Sequence, residues 1–145
     1  MSEQDLSRFL TVQEEGYATA LAEIQSGKKR SHWMWYIFPQ IAGLGLSETS
    51  KFYAIKDRAE AEAYFKHPVL GKRLLEISQA LIELEDNHAT RILGRPDDMK
   101  LKSSMTLFAA LPDTNPVFAA VLTKFFNGIP DWETQRLLNL SGDRS

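Results

Sequence analysis

Apolar residues recur every three or four positions along most of the chain, and this spacing constrains the fold more than any other feature of the sequence. It places the apolar side chains on one face of an α-helix. The longest such run has its apolar positions at Leu70, Leu74, Ile77, Leu81 and Leu84. Because Pro68 suits the first turn of a helix, the pattern predicts a helix from there to about Asp86.

Residues that begin and end helices divide the rest of the chain into shorter helical segments. Serine, aspartate and asparagine side chains accept hydrogen bonds from the first free backbone amides of a helix, and glycine favours the left-handed conformation that ends one. The predicted N-terminal capping residues include Ser31, Ser47, Asp57, Asp97, Asn115 and Asp131. The helices predicted from these signals cover residues 5–26, 31–38, 47–53, 58–66, 89–93, 98–110, 117–126 and 131–138. The predicted fold is all-α: a single compact globule of about seven or eight short-to-medium helices, with residues 1–145 in one domain.

The composition excludes several classes of function. The chain of 145 residues is long enough for one hydrophobic core, and its lack of cysteine excludes disulfides, thiolate catalysis and cysteine-ligated metals. Its formal net charge of −2 argues against a dedicated nucleic-acid-binding protein. No stretch approaches the roughly 18 apolar residues of a membrane helix, and the acidic N-terminus is unlike a signal peptide. We expect a soluble cytoplasmic protein that uses no metal or other cofactor and binds neither nucleic acid nor membranes.

Residues 28–40 combine a basic cluster with a dense series of aromatic side chains. Arg30 ends the basic cluster, and His32, Trp33, Trp35 and Tyr36 follow it. On one interpretation these rings pack in the core, as most aromatic clusters do. On the other, they form the wall of a pocket in which a planar ligand stacks, with Arg30 available for a phosphate.

The predicted helix within residues 97–108 carries an unusual number of hydroxyl groups. Lys100, Ser103 and Ser104 share one face of it, although serine is only a moderate helix former. Close packing against a neighbouring helix is one explanation. A polar face turned toward a cavity is another, with Asp97 nearby and Lys100 acting as a charge or, if desolvated, as a base beside Ser104.

Three motifs occur together in this chain: the run from Lys28 to Gln40, the turn Gly43-Leu44-Gly45, and the run from Pro96 to Phe108. Together they resemble the bacterial family known as domain of unknown function 1810, and the resemblance extends over nearly the whole chain. It departs at Lys102, where the family pattern has arginine. The resemblance implies a small, mainly α-helical protein of a single domain. It assigns no activity and no catalytic residue, and the label calpastatin that some members carry has no basis in this sequence.

Two functions are compatible with these observations. The first is a pocket that binds or hydrolyses a small molecule, such as a nucleotide or an ADP-ribose-like ligand, built from residues 28–40 and the helix within 97–108. Its candidate ligand-binding residues are Arg30, His32, Trp33, Trp35, Tyr36, Gln40, Asp97, Lys100 and Ser104. The alternative is a non-enzymatic interaction module, or a homo-oligomer, whose aromatic patch contacts a protein partner. A pocket requires the candidate side chains to converge on one cavity, whereas an interface requires a convex patch.

Overall fold

In a computed structural model of the protein, residues 5–142 are described, with the side chains of residues 5–140. This part of the chain forms nine helices: α1 (Ser7–Ser26), α2 (Met34–Ile37), α3 (Glu48–Tyr53), α4 (Arg58–Lys66), α5 (Leu70–Glu83), α6 (Ala89–Leu93), α7 (Asp97–Ala109), α8 (Pro116–Phe126) and α9 (Trp132–Gly142). The extended backbone of residues 5–142 pairs at one isolated parallel bridge, between Ile41 and Ile55. The all-α prediction is confirmed. The count of nine in this part of the chain is close to the predicted seven or eight, and α2, α3 and α6 are short helices of four to six residues.

Several predicted helix caps are confirmed. Side-chain oxygens of Ser47, Asp57 and Asn115 accept hydrogen bonds from the first amides of α3, α4 and α8, at 3.1, 2.9 and 2.8 Å. Asp131 accepts one from an amide in the first turn of α9 at 3.1 Å. Gly27 ends α1 with a φ of +86°, a conformation that favours glycine. Local signals in the sequence therefore fixed most of the helix boundaries correctly.

Two predicted caps are wrong, because charged groups elsewhere in the fold attract the side chains. Ser31 lies three residues before α2, and its hydroxyl donates to the carboxylate of Glu23 at 2.6 Å. Asp97 is itself the first residue of α7, after Pro96, and its carboxylate lies against two lysines. Both residues therefore belong to the contacts that build a cleft at the surface.

The core forms where α1, α4, α5, α7 and α8 pack together. Phe9, Tyr64, Phe108 and Phe118 form a continuous series of buried rings, with successive centroids 5.0, 5.5 and 5.7 Å apart. This packing fixes the middle of α7 inside the protein. The N-terminal end of α7 reaches the surface beside α2, and there the two segments that the sequence singled out meet.

Candidate functional site

A cleft of about 260 Å³ lies between residues 29–35 and the start of α7, and we call it the α2–α7 cleft. Four of the predicted candidate residues line it: His32, Trp35, Asp97 and Lys100. The remaining lining residues, which the sequence did not single out as candidates, are Lys29, Met34, Arg95 and Pro96. Two segments more than 60 residues apart in the sequence thus meet at one concave surface.

The charged centre of the cleft is a carboxylate held between two ammonium groups. One oxygen of Asp97 lies 2.9 Å from Nζ of Lys29, and the other lies 3.4 Å from Nζ of Lys100. The side chains of Lys29, Asp97 and Lys100 are 7%, 18% and 21% exposed. Because two cations share one anion, the group carries an excess of positive charge, and water reaches it only in part.

The indole of Trp35 forms an aromatic wall beside this group. The ammonium of Lys100 lies 4.8 Å from the centroid of the Trp35 ring, within the range of a cation–π contact. Trp35 is half-buried, so part of its ring is open to the cleft. The cleft therefore places a flat apolar surface next to positive charge.

Two further basic side chains stand at the rim of the cleft. Arg95 and His32 are both exposed and line it. Within the described part of the chain, no side-chain hydrogen bond or ion pair engages the guanidinium of Arg95. A free guanidinium presents a planar fork of N–H donors that matches a carboxylate or a phosphate. The rim can thus add a directed contact to the charge at the centre.

Glu23 of α1 shapes the segment that leads into the cleft. Its carboxylate accepts four hydrogen bonds, from the backbone amides of Arg30 (2.8 Å) and Ser31 (2.9 Å), the Ser31 hydroxyl (2.6 Å) and the indole N–H of Trp33 (2.9 Å). Burial alone raises the pKa of Glu23, but these hydrogen bonds, led by that of the Ser31 hydroxyl, outweigh it and lower the pKa to about 2. Glu23 is therefore ionised at neutral pH and holds the segment in place.

The segment of residues 28–33 before α2 is not helical, and the burial of its side chains explains which basic residue enters the cleft. The backbone amide of Lys29 donates to the carbonyl of Ile92 in α6 at 2.8 Å. Burial then alternates: Lys29, Ser31 and Trp33 point inward, whereas the residues between them are exposed. Such alternation is the period of extended chain. A two-residue period counted back from a buried Trp33 would have selected Lys29 in place of Arg30.

Five of the candidate residues lie outside the cleft. Arg30 is exposed and does not line it, and Trp33 is buried at 1% exposure beneath the segment. Tyr36 lines a groove on the other side of α2, beside α1. Gln40 lines a separate pocket of about 100 Å³. Ser104 is fully buried in the core.

The hydroxyl groups of α7 have a structural explanation. The Ser103 hydroxyl donates to the carboxylate of Asp131 at 3.2 Å, and the Thr106 hydroxyl accepts from the Asp131 amide at 2.9 Å. Asp131 in turn caps α9 through Thr134. These hydroxyls therefore join α7 to the start of α9. Among the described residues the Ser104 hydroxyl finds no partner, and it lies four residues beyond Lys100 in the buried part of the helix.

The described residues bring together no three histidine, aspartate or glutamate side chains that could hold a metal ion. No helix within residues 5–142 combines the length and apolar character needed to cross a membrane.

Comparisons with known proteins agree with the resemblance of the three motifs. Residues 3–138 match the family described as "Protein of unknown function (DUF1810)". The chain is also similar to the conserved hypothetical protein Rv1873 from Mycobacterium tuberculosis, whose crystal structure is solved. The two share 43% sequence identity with a TM-score of 0.90, over 92% of this chain and 96% of that one. No curated protein matches the chain. The chain therefore belongs to the DUF1810 family.

Proposed function

We propose that the α2–α7 cleft binds a small ligand that carries both an anionic group and a planar ring, of the class of nucleoside monophosphates. The observation that carries the proposal is the Asp97 carboxylate held between Lys29 and Lys100, with Lys100 against the open ring of Trp35. Positive charge in excess beside an aromatic face suits a phosphate joined to a base.

The charge of the cleft favours an anionic ligand over a neutral one. Lys29, Arg95 and Lys100 are three cations, and Asp97 is the one carboxylate that lines the cleft among the described residues. A phosphate could accept hydrogen bonds from both lysines in competition with Asp97, and from the fork of Arg95 at the rim. The partial burial of the lysines strengthens such contacts because it lowers the effective dielectric constant.

The size of the cleft favours a short ligand. Its volume of about 260 Å³ is slightly below the range of roughly 300–1,000 Å³ that is typical of pockets for drug-sized molecules. A nucleoside monophosphate fits this scale if part of it stays in solvent. An ADP-ribose-like ligand would leave about half of its atoms outside, and so we favour the smaller class.

The arrangement supports binding more than hydrolysis. Among the described residues that line the cleft there is no serine or threonine, and the Ser104 hydroxyl is sealed in the core. The Lys100 ammonium is engaged in an ion pair with Asp97 at 3.4 Å, and within the described part of the chain no hydroxyl that it could activate lines the cleft. The proposed role is therefore recognition of the ligand, in the cytoplasm where nucleotides are abundant.

The geometry also favours a pocket over an interface built from the same aromatic residues. Trp33 is buried, and Trp35 and Tyr36 are half-buried on different surfaces. They do not form the convex exposed patch that a protein partner would contact.

Tryptophan fluorescence provides the test of this proposal. Trp132 is 68% exposed and far from the cleft in sequence, so a Trp132→Phe background removes most of the solvent-exposed signal and leaves Trp33 and Trp35. We expect AMP and UMP to change the emission with a Kd in the micromolar to millimolar range, and the matching nucleosides to bind about tenfold more weakly or worse, because they lack the phosphate.

Variants on this background locate the binding. Arg95→Gln and Lys100→Met should each weaken AMP binding about tenfold, which corresponds to about 1.4 kcal/mol. Lys28→Met is the matched control, since Lys28 is exposed and does not line the cleft. Equal affinity for AMP and adenosine, or equal losses in Lys28→Met and Lys100→Met, would contradict the proposal.

A further inference from the structure

A second concave surface lies on the other side of α2, between α1 and α3, and the proposed function does not use it. This α1–α3 groove has a volume of about 690 Å³, within the usual range for ligand pockets. Tyr36, Phe52 and Tyr53 contribute aromatic rings to it, and α1 contributes its polar face. The groove thus differs from the α2–α7 cleft in size and in lining.

The three rings form one continuous aromatic wall. The Phe52 and Tyr53 centroids are 4.8 Å apart with the rings nearly perpendicular, and Tyr53 and Tyr36 are 5.6 Å apart. Phe52 is 58% exposed although it is fully apolar. The ring of Phe52 is continuous with those of Tyr53 and Tyr36, and a contiguous apolar patch of this kind marks a candidate binding groove.

A glycine in the middle of α1 makes room for this wall. A Cβ atom at Gly16 would lie 2.8 Å from the hydroxyl oxygen of Tyr36, which is closer than Cβ atoms in proteins come to a non-bonded neighbour. Glycine lowers the stability of a helix interior relative to alanine. Here it lets the Tyr36 ring lie directly against α1 and close one end of the groove.

The charges at the groove leave one carboxylate without a partner. The guanidinium of Arg8 contacts both oxygens of Glu60, at 3.1 and 3.2 Å, and donates to the carbonyls of Phe52 and Ala54, both at 2.8 Å. Its charge is thus compensated inside the protein. Glu15 also lines the groove, and within the described residues no hydrogen bond or ion pair engages its exposed carboxylate. The uncompensated charge at the groove is therefore negative.

We propose that the α1–α3 groove binds a small organic cation, an amine attached to an apolar or aromatic group. The amine would lie between the Glu15 carboxylate and the ring faces, and the apolar part would cover Phe52 and Tyr53. Aromatic faces attract cations through their quadrupole, and a nearby carboxylate adds a charge-assisted hydrogen bond. The wall and the charge thus select the same class of ligand.

Three probes of nearly equal shape and different charge test this inference: 2-phenylethylamine, 2-phenylethanol and 3-phenylpropanoate. Binding is followed by amide chemical shifts in NMR spectra of the full chain. We expect the amine to shift amides of α1 around residues 11–16 and of α3, and to bind about tenfold more tightly than the alcohol. The acid should bind more weakly still.

Two glutamates on α1 provide a matched pair of variants. Glu15→Gln should bring the affinity for the amine to within about twofold of that for the alcohol, because only the charge is removed. Glu14→Gln should leave the preference intact, since Glu14 is exposed but does not line the groove. Phe52→Leu, at an exposed position that leaves the core unchanged, should weaken the amine about threefold or more.

The inference is overturned if the amine and the alcohol bind equally, if neither binds, or if Glu14→Gln and Glu15→Gln have the same effect. It is also overturned if the shifts lie outside the groove. Lys100→Met separates the two proposals, because it should weaken AMP binding about tenfold and leave the affinity for the amine unchanged.

Discussion

The polar side chains at the two ends of α7's polar face differ in how completely the protein pairs them. At the start of the helix, Asp97 and Lys100 lie at the surface, where two lysines share one carboxylate and positive charge is left over. One turn further on, Ser103 and Thr106 are buried and bonded to Asp131. The second group is satisfied within the protein, whereas the first has an excess of positive charge that the proposed anionic ligand would neutralise. Incomplete internal pairing distinguishes the candidate site from the structural polar contacts.

The largest effect on stability is expected from Glu23, which holds the segment that leads into the cleft. Glu23→Ala should lower the free energy of unfolding by about 2–3 kcal/mol. The substitution leaves the buried indole N–H of Trp33, and the amide and hydroxyl of Ser31, without their charged acceptor. Urea denaturation measures the change. Glu14→Ala, at an exposed position of the same helix, should change stability by less than about 0.5 kcal/mol. Equal effects would mean that the segment needs no such anchor.

Acid should weaken the hydrogen bonds to Glu23 in the wild-type protein, because it protonates the carboxylate. The pKa of Glu23 is lowered to about 2 in the fold, from 4.5. A lowered pKa stabilises the fold above the unfolded-state pKa, and this contribution is lost as the pH falls from about 4.5 toward 2. Melting temperatures across this range should therefore fall more steeply for the wild type than for Glu23→Gln. Parallel curves would contradict the prediction.

The structural end of the polar face should be the next most sensitive. Asp131→Ala removes the cap of α9 and the acceptor of the Ser103 hydroxyl, and we expect a loss of about 1–2 kcal/mol in thermal or urea unfolding. Asp131→Asn keeps an acceptor at the same place and should cost less. AMP binding should be unchanged in both variants, since Asp131 does not line the cleft.

At the proposed ligand-binding end, a substitution should reduce AMP binding and leave stability nearly unchanged. Lys100→Met should change the free energy of unfolding by less than about 1 kcal/mol, because partly exposed ion pairs contribute little to stability. The same variant should lose AMP affinity about tenfold. A large drop in melting temperature would instead identify Lys100 as a structural ion-pair partner and remove the contrast between the two ends.

The smallest effect is expected at Ser104, which lies within the buried end of the face. Its buried hydroxyl has no partner among the described residues, so Ser104→Ala should be neutral within about 0.5 kcal/mol or slightly stabilising. Thr106→Val, which removes the acceptor of the Asp131 amide, should cost about 1 kcal/mol. A clear loss of stability in Ser104→Ala would reveal a contact of this hydroxyl that the structure does not show.

The fold was predictable because its signals are local. Periodic apolar residues and capping residues such as Ser47, Asp57 and Asn115 act within a few positions of the helix that they start. The predictions failed at Ser31 and Asp97, where a charged partner on another segment of the chain took the side chain from the cap. Tertiary contacts of this kind leave no periodic pattern in the sequence.

The cleft was predictable only in part. His32, Trp35, Asp97 and Lys100 were identified from the density of reactive side chains. Lys29 was not, because its direction depends on a non-helical segment that Glu23 of α1 holds in place. Helical periodicity places Ser104 on the same face as Lys100, but it does not predict which part of the protein packs against each turn of that face. Lys100 lines the cleft, whereas Ser104 is buried in the core. The depth of a residue along a helix depends on the packing of the whole domain.

NMR mapping of AMP binding tests the central claim most directly. The account predicts that AMP shifts the indole N–H signal of Trp35 and the backbone amides of residues 29–35 and 95–100, and that Lys100→Met needs about tenfold more AMP to reach the same shifts. Shifts confined to the α1–α3 groove or to the α9 surface, or no shifts at millimolar AMP, would contradict it.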